Sequence, residues 1–518
     1  MSKLSKRTIG GGYRPLSVKG FTLIELLAVI VILAVIAIIV TPMIMGTIES
    51  SRENSYKTSA QNYANAVDNA IAASMVKGVD TPNGTFSIET LKTKYTIDAN
   101  GKLPTVGTVT ISGNKVVSYD LYIEGYKIDK YAKNDTVYVV KSSNTTAPYQ
   151  EALLNGADPV LDYGMIPVNI ADNGAVTKAD ITTAWYSYTN KKWANVVLVT
   201  SGTRDKYQKA NAGTTITSGD ILAYLVWIPK YGYKINAVQA PITITFGYNA
   251  GTDTTSVHPG FTFGTTELNG IWVGKFELTG DTTTPTVLPN VQSLRSLNVS
   301  SFFTTIQKFD SDTYGLSSDS HMAMNKEWGA IAYLTNSIYG RCTGTICTEV
   351  RRNNASDYYT GYSEVNVATT GWSATSVSTN QFDVHTNTSI TQAYNTATGY
   401  LASTTGNISG IYDMSGGAWE YVMGTYNSTI SSSGFSSLPD SKYYQTYTTL
   451  ANSANGDALK EVAGWYNDYA NFVSAVYPWF IRGGRYNDGA NAGVFYFNYT
   501  NGGANGDVSA RVVVSPGA

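Results

Sequence analysis

Apolar positions come first as a solid run, then as a stripe, then as short alternating stretches. From Phe21 to Val40 the residues are predominantly apolar, with the single charge Glu25, until Thr41-Pro42 breaks the pattern. At about 1.5 Å per helical residue the run reaches roughly 30 Å, the thickness of a hydrocarbon core. Beyond it Ile44, Ile48, Tyr56, Ala60, Tyr63, Val67 and Ile71 recur at helical spacing among Ser, Asn, Glu and Lys, which predicts an amphipathic continuation with one stripe to bury. Run and stripe together predict one rod, bent at Pro42 and ended by Gly78, Pro82, Asn83 and Gly84.

Residues 86–95 read as a short helix. Thr108–Ile111, Lys115–Tyr126 and Thr136–Lys141 read as strands, separated by the turn signals Ser112-Gly113-Asn114 and Lys133-Asn134-Asp135. This first module ends near Lys141, and residues 142–149 read as a linker. From residue 150 to 518 the pattern changes to short strands and long polar loops rich in Trp and Tyr. Its best helix is Asn325–Thr335, and no internal repeat marks a solenoid or propeller. The fold class expected is α+β: a long helix with a small antiparallel sheet, then a large loop-rich domain.

Charge orients the first run. Residues 1–20 carry Lys3, Lys6, Arg7, Arg14 and Lys19 and no acid, so a cytoplasmic amino end and a single membrane pass are expected, with the remainder outside. A secretory signal ends its apolar region at a small-residue cleavage site, whereas Gly20 precedes this one. A carboxylate inside the run, Glu25, is costly in lipid and calls for a partner.

Composition narrows the partners. The formal charge of −2 gives no electrostatic case for nucleic acid, and charged residues make up 14%, against roughly a quarter in typical soluble proteins. Gly (48) and Tyr (38) are abundant, a surface chemistry of stacking and hydrogen bonding that suits a recognition protein or an extracellular structural one. The two cysteines, Cys342 and Cys347, are expected to close a small disulfide loop worth roughly 2 kcal/mol, with free thiols as the alternative. A zinc site lacks two further ligands nearby.

Gly20-Phe21-Thr22-Leu23-Ile24-Glu25-Leu26-Leu27 resembles the leader junction of type IV prepilins and pseudopilins. The resemblance implies that prepilin peptidase cuts between Gly20 and Phe21 and that the new amino terminus is methylated. It also implies that Glu25 neutralises the Phe21 ammonium of a neighbouring subunit during filament assembly. Residues 1–20 are then a leader and 21–141 a pilin-like module. Its partners are other pilin subunits, and the membrane before assembly.

In the large domain, Ala223–Tyr231, Ile271–Glu277, Met324–Ala330, Gly406–Tyr421, Ile481–Gly484 and Ala510–Val514 together resemble the formylglycine-generating-enzyme-like branch of the C-type lectin fold. Gly417 stands where that family usually has Asn, and Tyr421 where it has Trp. Trp419 reads as core filler, and Glu420 with Arg482 as an internal pair. The family's oxidase uses a cysteine pair after its Arg-Gly-Gly, and residues 485–511 contain none. His258, His321 and His385 read as scattered in polar loops, outside any hydrolase, metalloprotease or P-loop motif. Asp310-Ser311-Asp312-Thr313-Tyr314-Gly315 opens like a calcium loop but has His321 at its twelfth position. No enzyme activity and no cofactor are expected, and calcium is left without assigned ligands.

Residues 485–507 hold the candidate site. Val494, Phe495 and Phe497 are expected to anchor the segment. Arg485, Tyr486, Asn487, Asp488, Tyr496, Asn498, Tyr499, Asn501, Asn505 and Asp507 are expected to face solvent and bind a ligand, protein or glycan. The segment is similar to the ligand-binding face of lectin-fold variable proteins of diversity-generating retroelements, whose mutagenesis of adenines leaves Asn, Asp, Tyr, Ser and Gly. The function expected is a minor or tip pilin that displays a binding domain on a pilus or cell surface. The alternative is a structural pseudopilin of a secretion or DNA-uptake system.

Overall fold

The computed structural model describes residues 23–78, 84–130, 137–141, 148–251, 255–316, 318–366 and 389–516. Side chains at 24–26, 28–30, 33–47, 49, 84, 85, 140, 141, 248, 365, 366, 389 and 390 are outside that description. Gly20, Phe21, the Glu25 side chain, the turn at Lys133-Asn134-Asp135, most of the linker and His385 therefore lie beyond it. Two compact units divide at Ser55 and Tyr56. Helix α1, Leu23–Val76, runs through Pro42 without interruption. Among the described residues no helix is long and apolar enough to cross a membrane. Most side chains of the apolar run at 21–40 fall outside the description.

The unit from Tyr56 onward has two hydrophobic cores. In the smaller, the expected stripe Tyr56, Ala60, Tyr63, Val67 and Ile71 is buried with Leu91, Val109, Leu121 and Ile128. Leu91 belongs to α2 (Ile88–Lys94) and the other three to a sheet of antiparallel strands β1 (Gly84–Ser87), β2 (Val106–Ser112), β3 (Lys115–Ile123), β4 (Tyr126–Lys130) and β5 (Val137–Lys141), paired in that order. Ser87 caps α2 by accepting the Thr90 N–H at 3.1 Å. The stretch expected as one strand, Lys115–Tyr126, is instead a hairpin. Glu124 and Gly125 both take positive φ, 46° and 85°, the two-residue turn that matches strand twist. The small sheet meets the large domain where the Tyr138 and Tyr163 rings stack at 4.7 Å.

The larger core joins two sheets. The strands of the first are β6 (Met165–Ile170), β7 (Val176–Lys178), β8 (Asn195–Val199), β9 (Ile221–Pro229), β10 (Gly270–Gly274) and β11 (Asp319–Met322), together with the last strand, Val512–Ser515. That last strand lies between β11 and β10, so the carboxyl end of the chain is inside the sheet. The second sheet contains β12 (Trp419–Tyr426), β13 (Gln445–Tyr447), β14 (Trp479–Arg482), β15 (Phe497–Thr500) and β16 (Val508–Ala510). Every residue of β8 and β10 is buried, as expected of strands covered on both faces. Trp227, Trp272, Trp328 and Trp479 are all fully buried. Asn325–Thr335 is helical, as its periodicity predicts.

Two sequence expectations fail here. His258 and His321 are not in polar loops but fully buried. His321 lies in β11, its Nδ1 3.2 Å from Asp319 and its Nε2 2.9 Å from Glu327. Glu420 and Arg482 stand opposite each other in the register of β12 and β14, yet do not pair. The Arg511 guanidinium grips Glu420 through both carboxylate oxygens, with Nε at 3.0 Å from Oε2. Arg482 donates instead to Asn325 Oδ1 at 2.9 Å and to the carbonyls of Asp457 and Ala458 at 3.2 and 3.0 Å.

Candidate binding face

The polypeptide after Arg482 turns back on itself and then adds β15 as the outer strand beside β14. Val494, Phe495 and Phe497 are buried, as anchors should be. Asp468 fixes the turn from beneath, its Oδ2 accepting the Phe495 N–H at 2.8 Å. Burial pushes the Asp468 carboxyl up to about 8.

Above these anchors the charged residues bind one another. Asp488 accepts the Arg485 backbone N–H at 3.0 Å, the Arg485 Nε at 3.2 Å and the Trp419 indole N–H at 2.8 Å. The Arg485 guanidinium lies 4.4 Å over the Trp419 ring and reaches Asp507 with Nη1. Burial opposes the charge of Arg485, but the hydrogen bonds and charges of Asp488 and Asp507 outweigh it and raise the pKa. Asp507 also takes the Tyr358 hydroxyl, and the Tyr358 ring lies edge-on to Tyr486 at 5.0 Å. The Arg295 guanidinium stacks 3.9 Å over Tyr358. The result is one cross-braced patch built from four separate parts of the chain.

The expected contact residues separate by what they do. Tyr486 and Tyr499 are half-buried with ring surface remaining, and Asn487 is exposed. Asn501 and Asn505 spend their carbonyls on turns, accepting the N–H groups of Gly503 at 2.9 Å and Asp507 at 2.8 Å. Asn498 accepts the Tyr499 N–H at 2.8 Å and donates to the Tyr496 hydroxyl at 3.2 Å. Tyr496 departs from expectation. It is 2% exposed and belongs to the continuous buried run 492–497 that precedes the half-buried strand residues 498–500.

Sequence reasoning missed the neighbours. Tyr477 is 44% exposed and stacks on Tyr499 at 5.0 Å, and Tyr469, 45% exposed, lies 6.0 Å from Tyr496. Trp419, expected as core filler, is half-buried and forms the floor beneath Arg485. Nothing in the spacing of Arg295, Tyr358, Tyr469 and Tyr477 links them to residues 485–507; the local signal is only aromatic residues in polar loops.

Behind the patch is a buried carboxyl group of three. Burial, then Asp413 and Glu420, hold the Glu277 carboxyl well above its ordinary range. Burial also pushes Glu420 up to about 7 against the pull of Arg511. Glu277 Oε1 accepts the Ala418 N–H at 2.8 Å. Gly417 has φ 72°, and a Cβ there would stand 2.3 Å from that oxygen, so the glycine lets the backbone pass close to Glu277. Cys342 and Cys347 form a disulfide across a short hairpin remote in sequence from the patch. Among the described residues no group of three or more His, Cys, Asp or Glu is placed to hold a metal ion.

The other end of the chain has its own signature. Residues 16–41 match the prokaryotic N-terminal methylation motif. The match contains Gly20, Phe21 and Glu25, and marks a type IV pilin-like amino terminus. The motif implies processing by prepilin peptidase, assembly with other pilin subunits and membrane-associated export to the cell surface. No curated protein sequence matches the chain.

Proposed function

We propose that this chain is a minor or tip type IV pilin that displays a ligand-binding domain, with residues 485–507 and their aromatic neighbours as the binding face. The observation that carries the reading is the half-exposed Tyr477–Tyr499 stack at 5.0 Å, with Tyr499 on the outermost strand, in the same region of the chain as the exposed Tyr469 ring. Rigid half-exposed rings lose little conformational entropy on binding, and the surrounding amides supply hydrogen bonds. The methylation motif supports surface display, and the resemblance of the large domain to the C-type lectin fold supports a binding rather than a catalytic task. Diversification by a retroelement belongs to the same proposal, and a near-copy of the codons for 485–511 beside a reverse transcriptase gene would test it.

The functional test uses cells displaying the full chain. The triple variant Tyr486→Ala, Asn487→Ala and Tyr499→Ala is expected to lose adhesion to the host or partner surface while keeping its melting temperature within about 3 °C. Adhesion equal to wild type would leave the large domain a spacer and overturn the proposal.

A further inference from the structure

A second site is formed at the far edge of the seven-stranded sheet from β11. There a cavity of about 250 Å³ opens between the end of β6, the segment 185–193 and the loop 407–409. Its walls are fixed before any ligand arrives. Asn407 Nδ2 and Ser409 Oγ donate to the Lys191 carbonyl at 3.0 and 3.1 Å, and Ser409 Oγ accepts the Trp193 N–H at 3.0 Å. Asn195 Nδ2 ties the same two segments, donating to the carbonyls of Trp193 at 2.9 Å and Ser409 at 2.8 Å. A preformed cavity spares a ligand the cost of ordering its own site.

What these ties leave over defines the occupant. Val168, Ile170, Ile408 and Trp193 supply apolar surface. Among the described residues, the Trp185 indole N–H, the Asn169 amide N–H groups and the Asp172 carboxylate take no partner. Lys192 donates to Asn169 Oδ1 at 3.0 Å and is not paired with Asp172. One lining group is anionic and one cationic, so the cavity favours neither sign. An apolar ligand would strand the Trp185 and Asn169 donors, and a simple ion would waste the apolar walls. A hydroxyl both donates and accepts, so a ring with an apolar face and several hydroxyls answers every group at once. The volume is just below the roughly 300–1,000 Å³ of drug-sized pockets, enough for one ring.

We propose that this cavity binds a single neutral pyranose, free or as the terminal unit of a glycan, independently of the face at 485–507. The test titrates methyl α-glucoside, methyl α-mannoside, methyl β-galactoside and methyl N-acetyl-β-glucosaminide into the full chain held in a non-glycosidic detergent, with glycine and inorganic phosphate as controls. Tryptophan fluorescence and saturation-transfer NMR report binding. At least one glycoside is expected to saturate with Kd on the order of 1 mM. Asn169→Ala and Asp172→Ala should each weaken it about tenfold, Trp185→Phe should weaken it while keeping the ring, and Tyr486→Ala should not change it. Asn169→Ala and Asp172→Ala alter half-buried and exposed positions, so their result stands even if Trp185→Phe fails to fold. No saturation by any glycoside up to about 50 mM, saturation unaffected by the cavity variants, or saturation by glycine or phosphate instead overturns the proposal.

Discussion

The Trp419 indole N–H donates to Asp488 Oδ2 at 2.8 Å, joining the start of β12 to the turn that follows Arg482. The same carboxylate holds Arg485 twice. Asp488→Ala therefore removes the acceptor of three donors, one of them cationic, and is expected to destabilise by about 2 kcal/mol. Trp419→Phe deletes a single donor and is expected to cost about 1 kcal/mol. Urea unfolding of both variants checks the ratio. Equal losses would mean that the Arg485 contacts contribute nothing to holding the turn.

Among the described residues Arg511 is the only cation bonded to the buried acid group, donating to Glu420 and to the carbonyls of Gly274 at 2.7 Å and Tyr412 at 3.0 Å. Arg511→Leu leaves Glu420 buried without its partner, next to Asp413 and Glu277. Breaking a buried pair from one side is expected to cost about 3–5 kcal/mol. The double variant Arg511→Leu with Glu420→Leu should recover part of that loss, because no stranded charge remains. A double variant no more stable than the single one would show that the carbonyl contacts, not the ion pair, are what Arg511 contributes.

How far the sequence led depends on how local each signal is. The stripe Tyr56 to Ile71 and the helix Asn325–Thr335 carry their periodicity in consecutive residues, and both form where the pattern places them. The Glu124-Gly125 turn was legible in principle, since Gly tolerates positive φ, but the apolar residues on both sides disguised it as strand. Pairing across sheets was not legible: Glu420 and Arg482 are register neighbours, yet the partner is Arg511, 91 residues away. The candidate face follows the same rule. Its anchors Phe495 and Phe497 were readable from composition, whereas Arg295 and Tyr358 reach it only through the folded chain.

His321 ties stability to pH. Burial alone would lower its pKa, but Glu327 and Asp319 reverse that and raise it to about 9. Lys442 at 3.2 Å and the Tyr443 hydroxyl at 2.8 Å face the other oxygen of Asp319, and the Phe263 ring stacks on the imidazole at 4.4 Å. A folded pKa above the unfolded value of about 6.5 means that the imidazolium stabilises fully below pH 6.5, and that this contribution fades as pH rises through 9. The loss is about 3 kcal/mol. Melting temperatures measured between pH 6 and 10 should fall more steeply for the wild type than for His321→Gln. Parallel curves would remove the charge from the argument.

The amino terminus gives the last prediction. Residues 16–41 carry the methylation motif, with Gly20 before Phe21 and Glu25 inside the apolar run. Cleavage at that junction exposes an ammonium on Phe21, and an opposite charge in low dielectric attracts it far more strongly than in water. Two variants separate processing from assembly. Gly20→Val blocks close approach of the peptidase to the backbone, so intact mass should show a chain that still begins at Met1. Glu25→Ala leaves the junction untouched, so its mass should match a chain beginning at methylated Phe21. That processed chain should then stay in the membrane fraction rather than enter sheared filaments, because its ammonium has no carboxylate to neutralise in the bundle. Filaments that take up Glu25→Ala as readily as wild type would show that helix packing alone sets the register.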